Sequence, residues 1–316
     1  MDAQIFSLES NDFTEMEDAL SAWDHQYRQI SPGAFHGSLL HTQVGSLGIF
    51  RNRWERAIHY RGVAPEGTIG LGISLAQTGE AHWQGQHAVF DDVIIQRCGT
   101  EAEYLSAPLW DSVVFAIPEA ELAQQLTDIT HDDPEAILHG LSLARLTPQL
   151  AAQLRQASLA YLAVAARSQA TPGAPSPLPE MAHFLVRLMA RALVSARPAH
   201  HVKAGLNRQR QLIRKAENYV VHLTNQPLRI GLLCGEIGAS ERTLRNAFYN
   251  VTDTSPLAYL KTQQLNRVYR VLRDVDPDEV LIKQVAVANG FSHLGQFCKD
   301  YKQLFGELPS ETLRHC

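Results

Sequence analysis

Two short stretches of the 316-residue chain carry side chains that can recognise a nucleic acid. In the first, Arg242, Arg245 and Asn246 stand at i, i+3 and i+4, with Ser240 and Thr243 among them. Helical backbone would place the three on one face. In the second, His293, Gln296 and Lys299 recur at every third position. Arg, Asn and Gln can read base edges in the major groove, and Lys can do so or bind phosphate. The chemistry is recognition of a duplex rather than turnover of a substrate.

Such groups need helices to present them, and the chain supplies one pattern twice. The first copy runs from Leu233 to Phe248 and the second from Val285 to Tyr301. Each reads as a short apolar helix, a glycine (Gly238, Gly290), a serine two residues on (Ser240, Ser292) and an amphipathic helix. The glycine would supply the positive φ that lets two helices meet steeply. Ser240 and Ser292 stand where N-caps belong. The small residues Cys234 and Ala286 lie where the paired helices press together. Apolar anchors follow as Leu244 and Phe248, and as Phe297 and Tyr301, which makes the second turn one residue longer. Ser255-Pro256 signals the start of a linking helix. At about 18 residues that helix spans roughly 27 Å. Two recognition helices so spaced could enter successive major grooves about 34 Å apart. A helical bundle with merely solvated basic residues is the alternative, and two copies in matching register argue against it.

The rest of the chain differs in character. After a lead-in strand and a short helix following Ser10-Asn11-Asp12, residues 31–118 hold short β-branched and aromatic segments cut by Gly and Pro. Close, regular strand spacing of this kind predicts a β-barrel or sandwich with room for a small ligand. Past Pro118 helices are expected, over 119–126, 148–166 and 178–197, with a proline-rich loop at 171–177. A linker at 198–205 divides an N-terminal domain, 1–200, from an all-α domain, 205–316. Residues 205–316 hold 15 Lys and Arg against 11 Asp and Glu, net +4, and residues 1–204 hold 13 against 22, net −9, which together make the −5 of the chain. A basic C-terminal part beside an acidic N-terminal part fits a nucleic-acid module joined to something else.

Cys98, Cys234, Cys298 and Cys316 are far apart and lack metal-binding spacing, so free thiols of a reducing cytoplasm are expected and a metal site is not. No apolar run reaches the roughly 18 residues of a membrane span. The N-terminus lacks a signal-peptide pattern.

On these residues the chain closely resembles the AraC/XylS family of bacterial transcription regulators over about 208–314. The similarity rests on Ile237-Gly238-Ala239-Ser240-Glu241-Arg242-Thr243-Leu244-Arg245, on Thr254 to Leu260, on Gly290 to Phe297 and on Phe305 to Arg314. It implies a cytoplasmic regulator, most often an activator, that binds double-stranded promoter DNA as a dimer and works with RNA polymerase. It also implies a seven-helix DNA-binding domain, in which Arg242, Arg245 and Asn246 match base-reading positions and His293, Gln296 and Lys299 match the second helix. Leu294 and Gly295 fall where polar base-contacting residues are common, and Thr312 where an aromatic is common. The N-terminal part resembles, more loosely, the cupin-like sensor domains of the family, including that of the ethanolamine-utilisation regulator. That implies an α+β chain, with an effector in the barrel and dimerisation through the helices after it.

No cofactor and no catalytic residue are expected. His36, His41, His59, His82 and His87 never make the His-x-His spacing of a cupin metal site, which weakens the competing reading as a cupin-type enzyme. Candidates for the effector pocket are Arg51, Trp54, His59, Trp83, Tyr104 and Trp110, with the aromatics able to wall a small organic or amine ligand.

Overall fold

The computed structural model describes all residues except 1–2, 171–175, 199–204, 224–225, 278–279 and 316. It divides into two compact units. The first holds Met1–Tyr27, His36–Glu55 and Tyr60–His201, and the second holds Arg28–Phe35, Arg56–His59 and Val202–Cys316. Most of the expected linker, 198–205, and most of the expected loop, 171–177, lie outside the described residues.

The chain opens with β1 (Gln4–Ser10) and α1 (Phe13–Asp18), which Asp12 caps by accepting the Thr14 amide at 2.8 Å. Ten strands follow: β2 (Asp24–Gln29), β3 (Gly37–Val44), β4 (Leu47–Trp54), β5 (Ile58–Val63), β6 (Thr68–Thr78), β7 (Ala81–Trp83), β8 (Gln86–Ala88), β9 (Asp92–Arg97), β10 (Ala102–Leu105) and β11 (Leu109–Pro118). Then come α2 (Glu119–Thr130), α3 (Pro134–Leu138), β12 (Leu143–Arg145), α4 (Pro148–Ala170), α5 (Leu178–Ser195) and β13 (Arg197–Pro198). They form an eight-stranded sheet, β1-β3-β4-β11-β6-β9-β12-β13, and a five-stranded sheet, β2-β5-β10-β7-β8. Of the barrel or sandwich expected from strand spacing, the described strands give two sheets that do not close into a barrel. Closure needs strands of matched length, tilt and stagger. Here β6 has 11 residues while β7, β8 and β12 have 3 each.

Side chains alternate across a strand, so the large sheet has two chemically distinct faces. The odd positions Ile49, Ile69, Leu71, Ile73, Val93, Ile95, Val113, Phe115 and Ile117 pack with Leu122, Leu126, Leu154, Leu185, Met189 and Leu193 of α2, α4 and α5 in one aliphatic core. At its edge the Tyr161 hydroxyl meets Thr42 Oγ1 at 2.6 Å, fully buried. The even positions face the other way, towards the smaller sheet.

The second unit is helical: α6 (Leu206–His222), α7 (Ile230–Ile237), α8 (Glu241–Thr252), α9 (Pro256–Asp274), α10 (Ile282–Ala288), α11 (Leu294–Phe305) and α12 (Pro309–Thr312). Ile213, Ala216, Val220, Leu233, Leu244, Phe248, Tyr259 and Leu260 form the core of its first half. Tyr269, Phe297, Tyr301 and Phe305 stack in its second half. Pro256 opens α9, and the Ser255 hydroxyl accepts the Ala258 amide at 3.3 Å. Within this unit Asn266 of α9 holds the Gln29 backbone, donating to its carbonyl and accepting from its amide, each at 2.8 Å.

The two helix pairs turn differently. Between α7 and α8, Gly238 has φ 66°, and Ser240 caps α8 by accepting the Thr243 amide at 3.1 Å. Between α10 and α11, Gly290 has φ 88°, yet the N-cap of α11 is His293, whose side chain makes no capping bond. The expected cap, Ser292, lies one residue too early because the turn is one residue longer. A Cβ on Gly238 would meet nothing within 4 Å, whereas one on Gly290 would lie 2.7 Å from the Gln226 carbonyl oxygen and from Gln264 Nε2.

A non-glycine residue in left-handed backbone costs about 1–2 kcal/mol. Gly238→Ala should therefore lower stability to unfolding by about that much. Gly290→Ala should lower it clearly further, since it adds the clash; equal urea midpoints for the two variants would contradict this. Tyr161→Phe should cost about 1 kcal/mol through the lost buried hydrogen bond, read from the same urea titration.

Candidate nucleic-acid interface and ligand cavity

Helix α8 sorts its residues by period. Leu244, Ala247, Phe248 and Val251 are buried and fasten it, while Glu241, Arg242, Thr243, Arg245 and Asn246 are exposed. Among the described residues neither Arg242 nor Arg245 pairs with a carboxylate, so both guanidinium groups face solvent with their donors uncommitted. Ser240 and Thr243, also exposed, share a hydroxyl–hydroxyl bond of 2.8 Å at the start of the helix. Tyr249 and Asn250 are exposed beyond them. Tyr249 follows Arg245 and Asn246 at i+4 and i+3, so helical spacing alone could have added it to the same face.

Helix α11 is built otherwise. His293, Gln296 and Lys299 are exposed, as expected. The Gln296 side-chain amide, however, donates to Asp300 Oδ1 at 3.0 Å, and Asp300 also pairs with Lys261. Leu294 is half-buried and Gly295 offers no side chain. Thr312 is fully buried, with its hydroxyl 2.8 Å from the Tyr301 hydroxyl and donating to Glu307. A compact polar pair thus occupies the place where an aromatic is common.

The other candidate site lies wholly in the first unit. Between the two sheets is a cavity of about 70 Å³. That is several times the roughly 10–15 Å³ that one water needs. Phe50, Asn52 and Trp54 of β4 line it, with Trp110, Ser112 and Val114 of β11. Gly70, Gly72, Ile94 and Gln96 complete that wall, and His25, Tyr27, Tyr60, Trp83 and Tyr104 come from the smaller sheet. A Cβ on Gly70 would fall 2.8 Å from the Trp23 ring, so the glycine lets that indole lie against the strand.

Of the expected pocket residues, Trp54, Trp83, Tyr104 and Trp110 meet here. Arg51 does not: it takes the odd face of β4 and makes a bidentate pair with Asp111 at 2.8 and 2.5 Å, a bond that raises its pKa. His59 belongs to the second unit, where its Nδ1 lies 3.1 Å from the Tyr259 hydroxyl. Sequence reasoning missed Trp23, Asn52, Tyr60, Gln96 and Ser112. Strand parity with Trp54 and Trp110 would have found Asn52 and Ser112, had the strand boundaries been known.

The polar atoms of the lining fall into two groups. Trp54 Nε1 donates to Ser106 at 3.0 Å, the Tyr60 hydroxyl donates to Gln96 at 2.9 Å, and Gln96 donates to the Gly62 carbonyl at 2.9 Å. Asn52 Oδ1, Trp83 Nε1, the Tyr104 hydroxyl and Ser112 Oγ are buried with no protein partner. Burial holds the Tyr104 hydroxyl well above the ordinary tyrosine range, and that of Tyr60 likewise.

Comparison with known proteins bears on the helical unit. Residues 233–315 match the family described as "Helix-turn-helix domain". The "Probable thc operon regulatory protein" of Rhodococcus erythropolis is 34% identical over 103 residues, which are 33% of this chain and 31% of that protein. The "XylDLEGF operon transcriptional activator" of Pseudomonas putida is 39% identical over 77 residues, 24% of each chain. The chain thus spans about a third or less of the length of these curated relatives. A crystal structure described as a probable AraC family transcriptional regulator from Rhodopseudomonas palustris shares 33% identity, with a TM-score of 0.30. It covers 33% of this chain and 96% of that one. The helix-turn-helix domain at residues 233–315 is of the AraC/XylS type.

Proposed function

We propose that the protein is a sequence-specific DNA-binding transcription regulator, an activator under the control of a small molecule. The observation that carries this reading is the exposed face of α8, where Arg242, Arg245 and Asn246 stand uncommitted on a helix anchored through its opposite face. In this reading those three contact base edges, and Ser240 and Thr243 bond to phosphate at the start of the helix. His293, Gln296 and Lys299 of α11 serve chiefly for positioning, since Gln296 is held by Asp300 and Leu294-Gly295 offers no polar group. That one relative is named an operon activator supports activation over repression.

The two sheets act as a cupin-like sensor, and their cavity holds the effector. Occupation changes operator affinity by the coupling free energy between the two sites. The working species is a cytoplasmic homodimer on promoter DNA, engaging RNA polymerase and catalysing nothing. Among the described residues no helix is long and apolar enough to cross a membrane.

The test uses a duplex that the full chain selects from a random-sequence pool. Arg242→Ala and Arg245→Ala should each weaken binding to it at fixed salt by about 1–3 kcal/mol, roughly 5- to 150-fold. Gln296→Ala should weaken it less. Wild-type affinity should fall steeply as salt rises. Unchanged affinity in both arginine variants, or a flat salt response, would sink the assignment.

A further inference from the structure

The polar atoms that line the cavity without a protein partner are not scattered. Asn52 and Ser112 face each other across β4 and β11 in the larger sheet. Trp83 and Tyr104 face each other across β7 and β10 in the smaller one. Directly opposed residues share a face of their sheet. Each sheet therefore presents one cross-strand pair to the same cavity, and each pair holds two buried polar atoms without a protein partner. The four residues are between 0% and 5% exposed. Leaving such groups unmatched costs roughly 1–3 kcal/mol each. Of the other lining residues, Trp54, Tyr60 and Gln96 spend their polar atoms on protein partners, whereas these four atoms are left to meet an occupant.

Their chemistry limits what the occupant can be. Trp83 Nε1 can only donate, the Tyr104 and Ser112 hydroxyls can donate or accept, and Asn52 Oδ1 accepts. A cation would leave the Trp83 donor unmet, and no carboxylate lines the cavity to offset its desolvation. An anion would meet the donors, but no Lys or Arg lines the cavity to offset its charge, and the His25 imidazole already turns Nδ1 to the Trp23 carbonyl at 2.9 Å. The remaining surface is aromatic, with the Tyr104 ring 4.8 Å from Trp110 and 6.0 Å from Trp83. The volume of about 70 Å³ and the aromatic walls suit a compact, planar occupant of about one ring.

We propose that the cavity binds an uncharged, single-ring compound bearing a carbonyl or amide group, its oxygen accepting from Trp83, Tyr104 and Ser112 while a donor on the ligand meets Asn52. This rests on the reading of the sheet unit as an effector sensor, and it adds the charge and shape of the effector.

The experiment compares three probes of one size and three charges, benzamide, benzoate and benzylammonium, by calorimetric titration of the full chain without DNA. Benzamide should bind saturably and at least about tenfold more tightly than either ion. Trp83→Phe, Tyr104→Phe and Ser112→Ala should each weaken it about 3- to 10-fold, the range for one lost hydrogen bond. Tyr104→Phe removes a hydroxyl with no protein partner, so its thermal midpoint should stay at or above the wild-type value, which separates lost binding from lost fold. The proposal is overturned if either ion binds as tightly as benzamide, if benzamide binds but the three variants leave it unchanged, or if benzamide does not bind up to its solubility limit. The same preparation is titrated with the selected duplex, with and without benzamide. Loss of DNA binding in both would overturn the regulator reading alone. Benzamide binding that leaves operator affinity unchanged would overturn the effector role and leave the ligand class standing.

Discussion

The alternation of side chains across β4, β6, β9 and β11 is the constraint on which the first unit depends. One sheet must satisfy two demands, and period-two geometry lets it do so without compromise. The central odd positions are Ile, Leu, Val or Phe and fuse with α2, α4 and α5 into the aliphatic core. The even positions mix Trp, Gly, Asn, Gln and Ser and line the cavity. A slip of one residue in any of these strands would bury Asn52 and Ser112 against helices and turn Phe115 into the cavity. The core therefore sets the register, and the register sets which groups an occupant meets.

The second unit depends on a different constraint, the left-handed backbone at two glycines. Both copies of the helix pair use it, but with different surroundings. At Gly238 the backbone conformation alone calls for glycine. At Gly290 the Gln226 carbonyl and the Gln264 side chain press in as well, and Gln264 donates at 2.9 Å to the Asn289 carbonyl at the end of α10. The second turn is thus packed against its own helix α9, while the first is open to solvent. The same inequality runs into the recognition helices. The basic groups of α8 stand uncommitted, and the amide of Gln296 on α11 is tied to Asp300 in the cluster with Lys261. A helix whose polar groups are already satisfied has less to offer the base edges of a duplex than one whose groups are not.

A cavity with unmatched polar atoms and a helix with unmatched guanidinium groups are alike in physical character. Each keeps polar capacity uncommitted within the chain, at some cost in stability, and each marks a place where an outside molecule can repay it. Elsewhere the polar groups are largely closed on themselves: Arg51 on Asp111, Tyr161 on Thr42, Thr312 on Tyr301 and Glu307. That contrast separates the sites from the scaffold more sharply than exposure does.

Much of the helical unit was legible in the chain alone. Its signals are local: a glycine where φ must be positive, serine caps at Ser240 and Ser255, Pro256 at a first turn, apolar anchors at helical spacing. The resemblance carried by those residues is dense because the domain is built from short-range rules. The displaced cap at His293 escaped, since a one-residue change in turn length moves a cap without altering the composition around it. The sheet unit was legible only in outline. Strands were visible as β-branched and aromatic runs, but β7, β10 and β12 were too short to register, and whether the strands would close was not local information. Arg51 and Trp54 lie three apart on one strand and look equally fit to meet a ligand; they point to opposite faces, and only the pairing of β4 with β11 decides which is which. Residue types and spacing determined that this chain carries a helix-turn-helix pair in duplicate. Strand pairing, which joins residues far apart in the chain, decided where the cavity lies and which of its atoms await a partner.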